Sequence, residues 1–272
     1  MTETKTRTWI WRGIGAGLLL LTSLILILSG PPAPSVSETT APTQTTPATP
    51  EKNPLNAGDF AWDGNYLTCL SAESVPGIDV STHQGQIDWQ QVRAAGIEFV
   101  MIRLGYRGTS EGGLYADEWA QRHYEGARAA GLKVGGYFFS QAIRPEEAIL
   151  EADFILQLTR NWQLDMPLVY DWEYVSDDSR TANVDARTVT DCAKAFCDMI
   201  ERAGHNAMVY FNPNQSRNGM YLEELTDYGF WLAMYSQEMT FEYRVDMWQY
   251  SDTGTVPGID GPVDLNLYFP ES

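Results

Sequence analysis

The chain has 272 residues, of which 44% are hydrophobic and 12% aromatic, so it can hold one sizeable domain with a buried core. Its 36 acidic side chains outnumber its 18 basic ones and give a formal net charge of −18 at pH 7. This balance argues against a nucleic acid partner, because the phosphates of nucleic acids are bound by basic surfaces. A solvated acidic surface that keeps the domain soluble explains the charge more simply.

The first thirty residues have the pattern of a membrane segment. Residues 1–12, MTETKTRTWIWR, carry three basic residues and two tryptophans, and residues 13–30 carry no charge. At about 1.5 Å of rise per residue, this run and its flanks nearly span a hydrocarbon core of about 30 Å. The pattern predicts a cytoplasmic basic tail over 1–12 and a transmembrane anchor over 13–30, with the rest of the chain outside the cell membrane. A signal peptide and a secreted protein are the alternative, although the sequence after Gly30, PPAPS, lacks the small residues typical of a cleavage site.

Residues 31–54 are rich in proline, threonine and serine and almost free of apolar side chains. Such a segment cannot bury enough surface to fold, so it is predicted to be a flexible linker between the anchor and a domain. Residues 55–75 are predicted to form an N-terminal extension. Four apolar side chains of this extension can pack onto the domain: Phe60, Trp62, Tyr66 and Leu70.

From residue 76 to residue 272, predicted strands alternate with predicted helices. The strands cover 77–81, 98–105, 132–140, 167–173, 206–212, 230–236, 243–251 and 262–269. The helices cover 89–95, 117–130, 145–161, 185–203 and 220–226. This alternation indicates a parallel sheet covered by helices, and eight strands favour closure into an α/β barrel of the TIM type, irregular because its last strands lack helices. The alternative, an open doubly wound sheet, lacks the glycine-rich phosphate turn of nucleotide sites.

Cysteine and histidine give no indication of a metal site. Cys192 and Cys197 are five residues apart in a predicted helix and therefore about 140° apart around its axis. They should not form a disulfide with each other, whereas Cys69 can pair with either of them. The three histidines are scattered and form no HExxH motif: His83, His123 and His205. We therefore expect neither a metal ion nor another cofactor.

Two carboxylates stand at the end of the most strand-like segment, PLVYDWEYV, residues 167–175. Asp171 and Glu173 are two positions apart and so share one face of a strand. Catalytic groups of such barrels collect at the carboxyl ends of the strands. Asp79 on the first strand and Asp264 on the last also stand among apolar residues, and these strands are neighbours once the barrel closes. The sequence therefore predicts four carboxylates at one mouth of the barrel.

Clustered carboxyl groups push their pKa values apart, so that one stays protonated while another stays ionised. Cleavage of a glycosidic bond requires such a pair. Aromatic residues near the predicted strand ends supply faces on which sugar rings can stack. The candidates for substrate binding are Tyr137, Trp172, Tyr210, Trp231, Trp248 and Tyr250.

Four motifs carry a resemblance to a known family: GIDVSTHQGQIDWQQV, GLKVGGYFFS, VYDWE and MWQYSDTGTVPGIDGPVDLN. Together they resemble the family 25 glycoside hydrolases, the Chalaropsis-type lysozymes, over about residues 76–269. The resemblance implies a (β/α)5β3 barrel and hydrolysis of the β-1,4 bond between N-acetylmuramic acid and N-acetylglucosamine in peptidoglycan. Many members have a histidine in a GxYHF motif, where this chain has Phe138, and any contact of that histidine with the wall is not expected here.

The resemblance also implies roles for the acids. The family's Asp-x-Glu pair matches Asp171 and Glu173, the acid of its opening strand matches Asp79, and that of its terminal VDLN matches Asp264. Glu173 is the expected general acid, and Asp171 is expected either to attack the sugar or to orient its acetamido group. Asp79 and Asp264 are expected to support this central pair.

Two alternative functions remain at this point. One is an anchored module that binds peptidoglycan glycan strands without turnover. The complete set of acids argues against this module, because loss of Asp171 or Glu173 would have favoured it. The other is a chitinase-like glycosidase, whose longer motif Asp-x-x-Asp-x-Asp-x-Glu would need aspartates where this chain has Met166 and Val169. A short tether to the membrane favours remodelling of the organism's own wall.

Overall fold

The structure is a computed structural model that describes residues 49–270. The predicted basic tail, the predicted anchor at 13–30 and most of the predicted linker lie outside the described residues. Within 49–270, no helix combines the length and the apolar character needed to cross a membrane.

The N-terminal extension contains a β-hairpin of two strands, β1 (Phe60–Asp63) and β2 (Tyr66–Cys69). Its turn contains Gly64, whose φ of 63° lies in the left-handed region that glycine adopts without steric cost. Such a two-residue turn suits the right-handed twist of the two strands. The extension is therefore an ordered element in its own right.

The predicted apolar residues of this extension pack only in part. The ring of Phe60 meets the edge of Trp248 with 5.0 Å between ring centroids, and Tyr66 is buried. Trp62 is half-exposed, and Leu70 is 68% exposed. The hairpin thus covers the outer side of the barrel with one face and leaves the other face in solvent.

The end of the predicted linker is bound to the domain. The amide of Asn53 donates to the carbonyl of Glu242 at 2.9 Å, and the amide of Arg244 donates to the carbonyl of Glu51 at 2.7 Å. The linker was predicted from its side chains, whereas these hydrogen bonds are made by main-chain groups that every residue except proline can offer. Residues 51–53 therefore belong to the domain rather than to a free spacer.

The domain alternates strands and helices along the chain, as predicted. Its further strands are β3 (Val75–Val80), β4 (Phe99–Arg107), β5 (Leu114–Ala116), β6 (Lys133–Ser140), β7 (Leu168–Trp172), β8 (Ala207–Phe211), β9 (Gly229–Ala233), β10 (Met247–Gly254) and β11 (Val263–Tyr268). Its α-helices are α1 (Trp89–Ala94), α2 (Ala120–Ala129), α3 (Pro145–Thr159), α4 (Ala186–Arg202) and α5 (Pro213–Asn218).

The strands close into a barrel in the order β3, β4, β6, β7, β8, β9, β10 and β11, and β11 pairs back onto β3. The pairs from β3 to β10 are parallel, whereas β11 is antiparallel to both of its neighbours. The short strand β5 extends the sheet beside β4. Helices follow the first five barrel strands and are absent between β9, β10 and β11. The expected (β/α)5β3 barrel is therefore the observed architecture of the described residues.

Three helices, α1, α3 and α4, begin within one residue of their predicted starts, and α2 begins at Ala120, three residues after its predicted start. The Asp88 side chain accepts from the amides of Gln90 and Gln91 and so caps α1, and Asp185 caps α4 by accepting from Thr188. These caps satisfy backbone donors that have no partner inside the helix. Pro145 starts α3, because a first-turn residue needs no backbone donor.

One predicted helix is wrong. Residues 220–226 contain only a short 3₁₀ turn, Leu222–Glu224, while the helix α5 precedes them. Asn212 caps α5 through the amides of Asn214 and Gln215. Because α5 has only six residues, it shows no apolar periodicity, and the signal for it is the cap followed by proline.

Candidate active site

A pocket of about 250 Å³ opens at the carboxyl ends of the parallel strands. Because β11 runs antiparallel to the others, its first residues lie at this same end. The side chains that line the pocket come from most of the barrel strands and the loops after them: Asp79, Val80, Ser81, His83, Gln84, Arg103, Tyr137, Phe139, Asp171, Glu173, Tyr210, Trp231, Tyr235, Gln249 and Asp264. The four predicted carboxylates are all in this set.

The register of the barrel seam brings two of these acids together. Asp79 on β3 is the direct cross-strand partner of Asp264 on β11. Their side chains are hydrogen-bonded, and this requires a shared proton. Burial, followed by the charge of Asp79, raises the pKa of Asp264 to about 8. We assign the proton to Asp264, which leaves Asp79 as the ionised partner.

The ionised state of Asp79 is supported by amide donors. Asp79 Oδ2 accepts from Gln249 Nε2 and from Asn266 Nδ2, both at 2.8 Å. Burial raises the pKa of Asp79, and the hydrogen bonds from Asn266, Gln249 and Asp264 oppose that rise. A buried carboxylate with several donors keeps its charge at a lower cost than an isolated one.

The donors to Asp79 are themselves fixed by aromatic side chains. The hydroxyls of Tyr210 and Tyr235 donate to Gln249 Oε1 at 3.1 and 3.2 Å. The indole nitrogen of Trp231 donates to Asn266 Oδ1 at 2.9 Å. Both amides therefore present their NH₂ groups to the carboxylate, and the orientation of Asp79 is determined by a connected network.

Asp171 and Glu173 face the pocket from the end of β7. Burial raises the pKa of Asp171 well above its usual range, the charges of Glu173 and Asp79 add to this, and the guanidinium of Arg103 opposes it. Burial and then the charge of Asp79 also raise the pKa of Glu173. The buried Oδ1 of Asp171 has no hydrogen-bond partner among the described residues. Burial and mutual repulsion thus disfavour two charges on this pair, so one carboxyl can stay protonated while the other is ionised.

Three of the six predicted aromatic contacts line the pocket: Tyr137, Tyr210 and Trp231. Tyr137 and Tyr210 each meet the edge of the Trp231 ring, with centroid distances of 6.0 and 5.1 Å. Below them, apolar side chains fill the barrel interior, so the aromatic layer forms the floor of the pocket.

The other three predicted aromatic contacts, Trp172, Trp248 and Tyr250, lie outside the pocket. All three are buried in the core between the barrel and its outer elements. The indole of Trp172 donates to the carbonyl of Ala142, and that of Trp248 donates to the carbonyl of Met234. Successive side chains of a strand point to opposite faces, so the neighbours of an inward residue must point outward.

Phe138, the residue at the position of the family's histidine, follows the same rule. It is fully buried in the outer core, where its ring meets the edge of Phe154. Its neighbours Tyr137 and Phe139 are the side chains that line the pocket.

Several pocket residues were not predicted, among them Arg103, whose guanidinium lowers the pKa of Asp171. Its Nε donates to Asp117 Oδ2 at 2.9 Å, and its guanidinium lies 5.5 Å from the ring centroid of Tyr106. A charged residue in the apolar strand FVMIRLG was a readable signal for an inward functional side chain. Gln249 within MWQYS gave the same kind of signal.

The described part of the chain contains neither a cluster of metal ligands nor an exposed cysteine. No group of three or more His, Cys, Asp or Glu side chains there is arranged to hold a metal ion. Cys69, Cys192 and Cys197 are free and buried. The pocket therefore combines carboxylates, one arginine, amides and aromatic rings.

The proton on Asp264 leads to a prediction about stability. Its pKa rises from 3.8 to about 8 on folding, so the unfolded chain loses this proton first as the pH rises. Folding therefore becomes less favourable between about pH 4 and pH 8, and each pKa unit corresponds to about 1.4 kcal/mol. Because Asn can still donate to Asp79, Asp264→Asn should raise the melting temperature at pH 7 and change it little at pH 4. Melting curves from pH 4 to 9 test this, with the exposed Asp260→Asn as control, and a lower melting temperature at every pH would contradict it.

Comparison with known proteins places this site in context. The model of the family described as glycosyl hydrolases family 25 matches residues 78–259. The autolytic lysozyme of Clostridium acetobutylicum is 29% identical over 196 residues, which cover 71% of this chain and 55% of that protein.

Two solved structures have the same fold. The modular autolysin LytC from Streptococcus pneumoniae, in complex with a synthetic peptidoglycan ligand, aligns with a TM-score of 0.64 and 27% identity over 72% of this chain and 47% of that chain. The bacterial lysozyme from Streptomyces coelicolor aligns with a TM-score of 0.60 and 27% identity over 74% of this chain and 94% of that chain. The chain thus spans about half the length of the Clostridium and Streptococcus proteins and nearly all of the Streptomyces enzyme.

Proposed function

The chain belongs to glycosyl hydrolases family 25, and on that basis we propose that it is a lysozyme that hydrolyses the β-1,4 bond between N-acetylmuramic acid and N-acetylglucosamine in peptidoglycan. The observation that carries this proposal is the convergence of four carboxylates in one pocket at the carboxyl end of the barrel. The names of similar proteins, an autolytic lysozyme and an autolysin bound to a peptidoglycan ligand, support the choice of substrate.

In this proposal, Glu173 is the general acid. Its raised pKa keeps the carboxyl protonated at a pH where an ordinary glutamate has lost its proton. The proton passes to the glycosidic oxygen as the bond from that oxygen to the anomeric carbon breaks, so the sugar leaves as an alcohol rather than an alkoxide. Glu173, then ionised, takes a proton from the water that completes the hydrolysis.

Asp171 acts at the anomeric carbon. Positive charge develops there as the bond breaks, and the carboxylate of Asp171, which lines the pocket, can stabilise it. The carboxylate either attacks the carbon or holds the acetamido group of the muramic acid so that its oxygen attacks. Burial disfavours the ionised form that either route needs, and the guanidinium of Arg103 opposes this by lowering the pKa of Asp171.

Asp79 and Asp264 have a supporting role. The charge of Asp79 raises the pKa of Glu173, and Asp264 holds Asp79 by its hydrogen bond. Preorganised charge near the anomeric carbon stabilises a cationic transition state without reorganisation during the reaction. Under this role Asp264→Asn loses activity while its melting temperature is kept or raised, whereas a purely structural role at the barrel seam would lower both.

The direct test is mass spectrometry of the glycan fragments that the purified full-length protein releases from peptidoglycan. After borohydride reduction, the proposed cleavage yields fragments that end in reduced N-acetylmuramic acid. Fragments that end in reduced N-acetylglucosamine would mean cleavage of the other bond. Saturable wall binding without any released fragment would identify a binding module instead, and release from chitin alone would identify a chitinase.

We also propose that the enzyme is held at the cell membrane by residues 13–30 and remodels the organism's own wall. The uncharged run and its basic flank support this location. Residues 31–50, about 20 residues, would span about 25 Å as a flexible coil and about 62 Å as a polyproline-like chain. Either reach keeps the pocket in the part of the wall next to the membrane.

The location leads to a prediction for cell fractionation. We expect full-length protein in the membrane fraction and digestion of its domain by protease added outside the wall-stripped cells. A variant with Leu20→Arg and Leu21→Arg should lose membrane retention, because arginine at the centre of a spanning helix is costly. Recovery of the wild-type protein in the culture medium, with an N-terminus after Gly30, would contradict an anchor and indicate a secreted enzyme.

A further inference from the structure

Glu173 lies one residue beyond the regular pairing of its strand. On one side the pairing of β7 with β6 ends at Trp172 opposite Ser140, and on the other side its pairing with β8 ends at Asp171 opposite Tyr210. A long loop follows Glu173 before α4 begins. The position of Glu173 is therefore not determined by the sheet ladder, although its carboxyl must be placed accurately.

Gln141, the residue after β6, extends the hydrogen bonding on the first side. Its Nε2 donates to the carbonyl of Glu173 at 2.7 Å and to that of Ser140 at 2.9 Å, while its Oε1 accepts from the Thr181 hydroxyl at 2.9 Å. The two carbonyl acceptors require the NH₂ group at this position, so the orientation of the amide is determined. Gln141 is fully buried. Its side chain thus joins the end of β6 to Glu173 and to the loop behind it.

Gln215, in α5 after β8, does the same on the second side. Its Nε2 donates to the carbonyl of Trp172, and its Oε1 accepts from the amide of Asn212 at 2.9 Å. Gln215 is buried, and its backbone amide is bonded to the Asn212 side chain. The carbonyls of two successive residues are therefore each held by a glutamine from a flanking strand end.

The backbone of Gln141 is fixed in turn by a buried ion pair. Arg180 Nη1 donates to the carbonyl of Gln141 at 2.8 Å, and the same guanidinium binds the Glu147 carboxylate on α3 through two contacts of 2.8 and 3.0 Å. A bidentate pair of this kind has a defined geometry as well as a favourable energy. Gln141 is thus a donor whose own position is constrained.

We propose that Gln141 and Gln215 are positioning residues that continue the sheet's hydrogen bonding past the end of β7 and hold Glu173 where its carboxyl reaches the glycosidic oxygen. This inference rests on the proposed function, because it assigns the two amides to the general acid of that reaction. It explains why two buried amides converge on the main chain of Trp172 and Glu173 rather than on the sugar pocket. A change of about 1 Å in the placement of a catalytic group is enough to cost a large part of the rate.

The first test compares two substrates. Gln141→Met keeps the length of the side chain and removes its hydrogen bonds. We expect kcat on peptidoglycan to fall roughly 10- to 100-fold with KM within about threefold, since the general acid contributes roughly 10²–10⁴-fold. On the 4-nitrophenyl glycoside of the N-acetylglucosaminyl-muramic acid disaccharide, whose leaving group needs little protonation, kcat/KM should stay within about threefold, because it reports the bond-breaking step and not the later step in which Glu173 takes a proton from water. Gln215→Met should show the same selective loss.

The control for these variants is Gln157→Met, which removes an exposed amide that bonds only with Asp153 on the same helix. It should behave as wild type on both substrates. All assays are run well below the melting temperature of each variant, so that unfolding does not contribute. Equal losses on both substrates would overturn the inference, because a general structural defect does not distinguish leaving groups. Should Gln141→Met fail to fold, Gln141→Asn and Gln215→Met apply the same criterion.

The second test does not depend on activity. Carbon-13 NMR follows the titration of the Glu173 carboxyl, assigned through its disappearance in Glu173→Gln. The charged and titratable groups that line the pocket with Glu173 are Asp171, Asp79, Asp264, Arg103, His83, Tyr137, Tyr210 and Tyr235. In Gln141→Met these groups are unchanged, so a side chain released toward solvent should titrate with a lower pKa than in the wild type. An unchanged pKa together with an unchanged kcat would overturn the positioning role.

These two tests separate the inference from the function on which it rests. If the wild type releases no glycan fragments, the proposed function fails, and the titration alone decides whether the glutamines hold Glu173. If the wild type is active and Glu173→Gln is inactive, while Gln141→Met and Gln215→Met behave as wild type, the function stands and the positioning role is wrong.

Discussion

Glu173→Gln should lower kcat on peptidoglycan by roughly 10²–10⁴-fold, which is the usual contribution of a general acid. The amide has nearly the shape of the protonated carboxyl but cannot give up a proton to the leaving oxygen. KM should change little, because the substitution removes an interaction of the transition state rather than of the bound substrate. Fragment release from purified peptidoglycan, measured at several substrate concentrations, gives both constants.

Two controls make the result specific to proton donation. Glu173→Gln should retain most of its kcat/KM on the 4-nitrophenyl glycoside, whose leaving group needs little protonation, and the exposed Glu125→Gln on α2 should leave both activities unchanged. In the wild type, the high-pH limb of kcat/KM should lie above the usual glutamate range, because burial and Asp79 raise the pKa of Glu173. A near wild-type rate for Glu173→Gln on peptidoglycan would show that another group is the acid.

The fold was largely predictable because its strands are apolar runs separated by capped helices. Asp88 and Asp185 are N-cap residues that indicate helix starts, and the helices they cap lie where the sequence predicts them. Two short elements were not predicted. The strand β5 and the helix α5 arise from local contacts and a cap, and an apolar period cannot appear in so few residues.

The candidate site shows both the strength and the limit of strand periodicity. The two-residue spacing that unites Asp171 and Glu173 also turns Trp172 to the opposite face, as the structure shows. The same alternation places Trp248 and Tyr250 outside the pocket, because they flank Gln249, whose side chain points inward. These aromatic residues were selected because they are near strand ends. The side of the strand on which each side chain lies would have separated the pocket residues from the core residues.

Contacts made by loops and side-chain amides could not be predicted from spacing. Tyr235 is a partial exception, because the predicted strand 230–236 puts it on the face of Trp231, although β9 itself ends at Ala233 and Tyr235 reaches the pocket from the loop. Gln141 and Gln215 act on the main chain of a neighbouring strand end, and no sequence pattern specifies such a contact. These residues complete the site because closure of the barrel brings distant strand ends together.

Asp171→Asn should reduce turnover by roughly 10³-fold or more, on the scale seen when a central catalytic group is removed. Binding of a peptidoglycan oligosaccharide should stay within about threefold, because Asn keeps the size of the side chain and the hydrogen bonds of the pocket remain. The folded chain should be as stable as the wild type or more so at pH 7. Burial raises the pKa of Asp171, so its ionised form opposes folding above the pKa of the unfolded chain, and Asn removes that cost. Loss of activity with an unchanged or higher melting temperature would therefore locate the defect in the chemistry.

The two routes open to Asp171 differ in what can be trapped. If the carboxylate attacks the anomeric carbon, a 2-fluoro analogue of the disaccharide should leave a sugar attached to Asp171, which peptide mass spectrometry detects. If Asp171 holds the acetamido group instead, no adduct forms, and a thiazoline that mimics the cyclised acetamido group should inhibit the wild type strongly and Asp171→Asn weakly. Both routes need the carboxylate of Asp171 beside the bound sugar, and Asp171 lines the pocket together with Glu173. An Asp171→Asn variant that keeps wild-type turnover would contradict both routes and return the role to another carboxyl of the pocket, for which Asp79 is the ionised candidate.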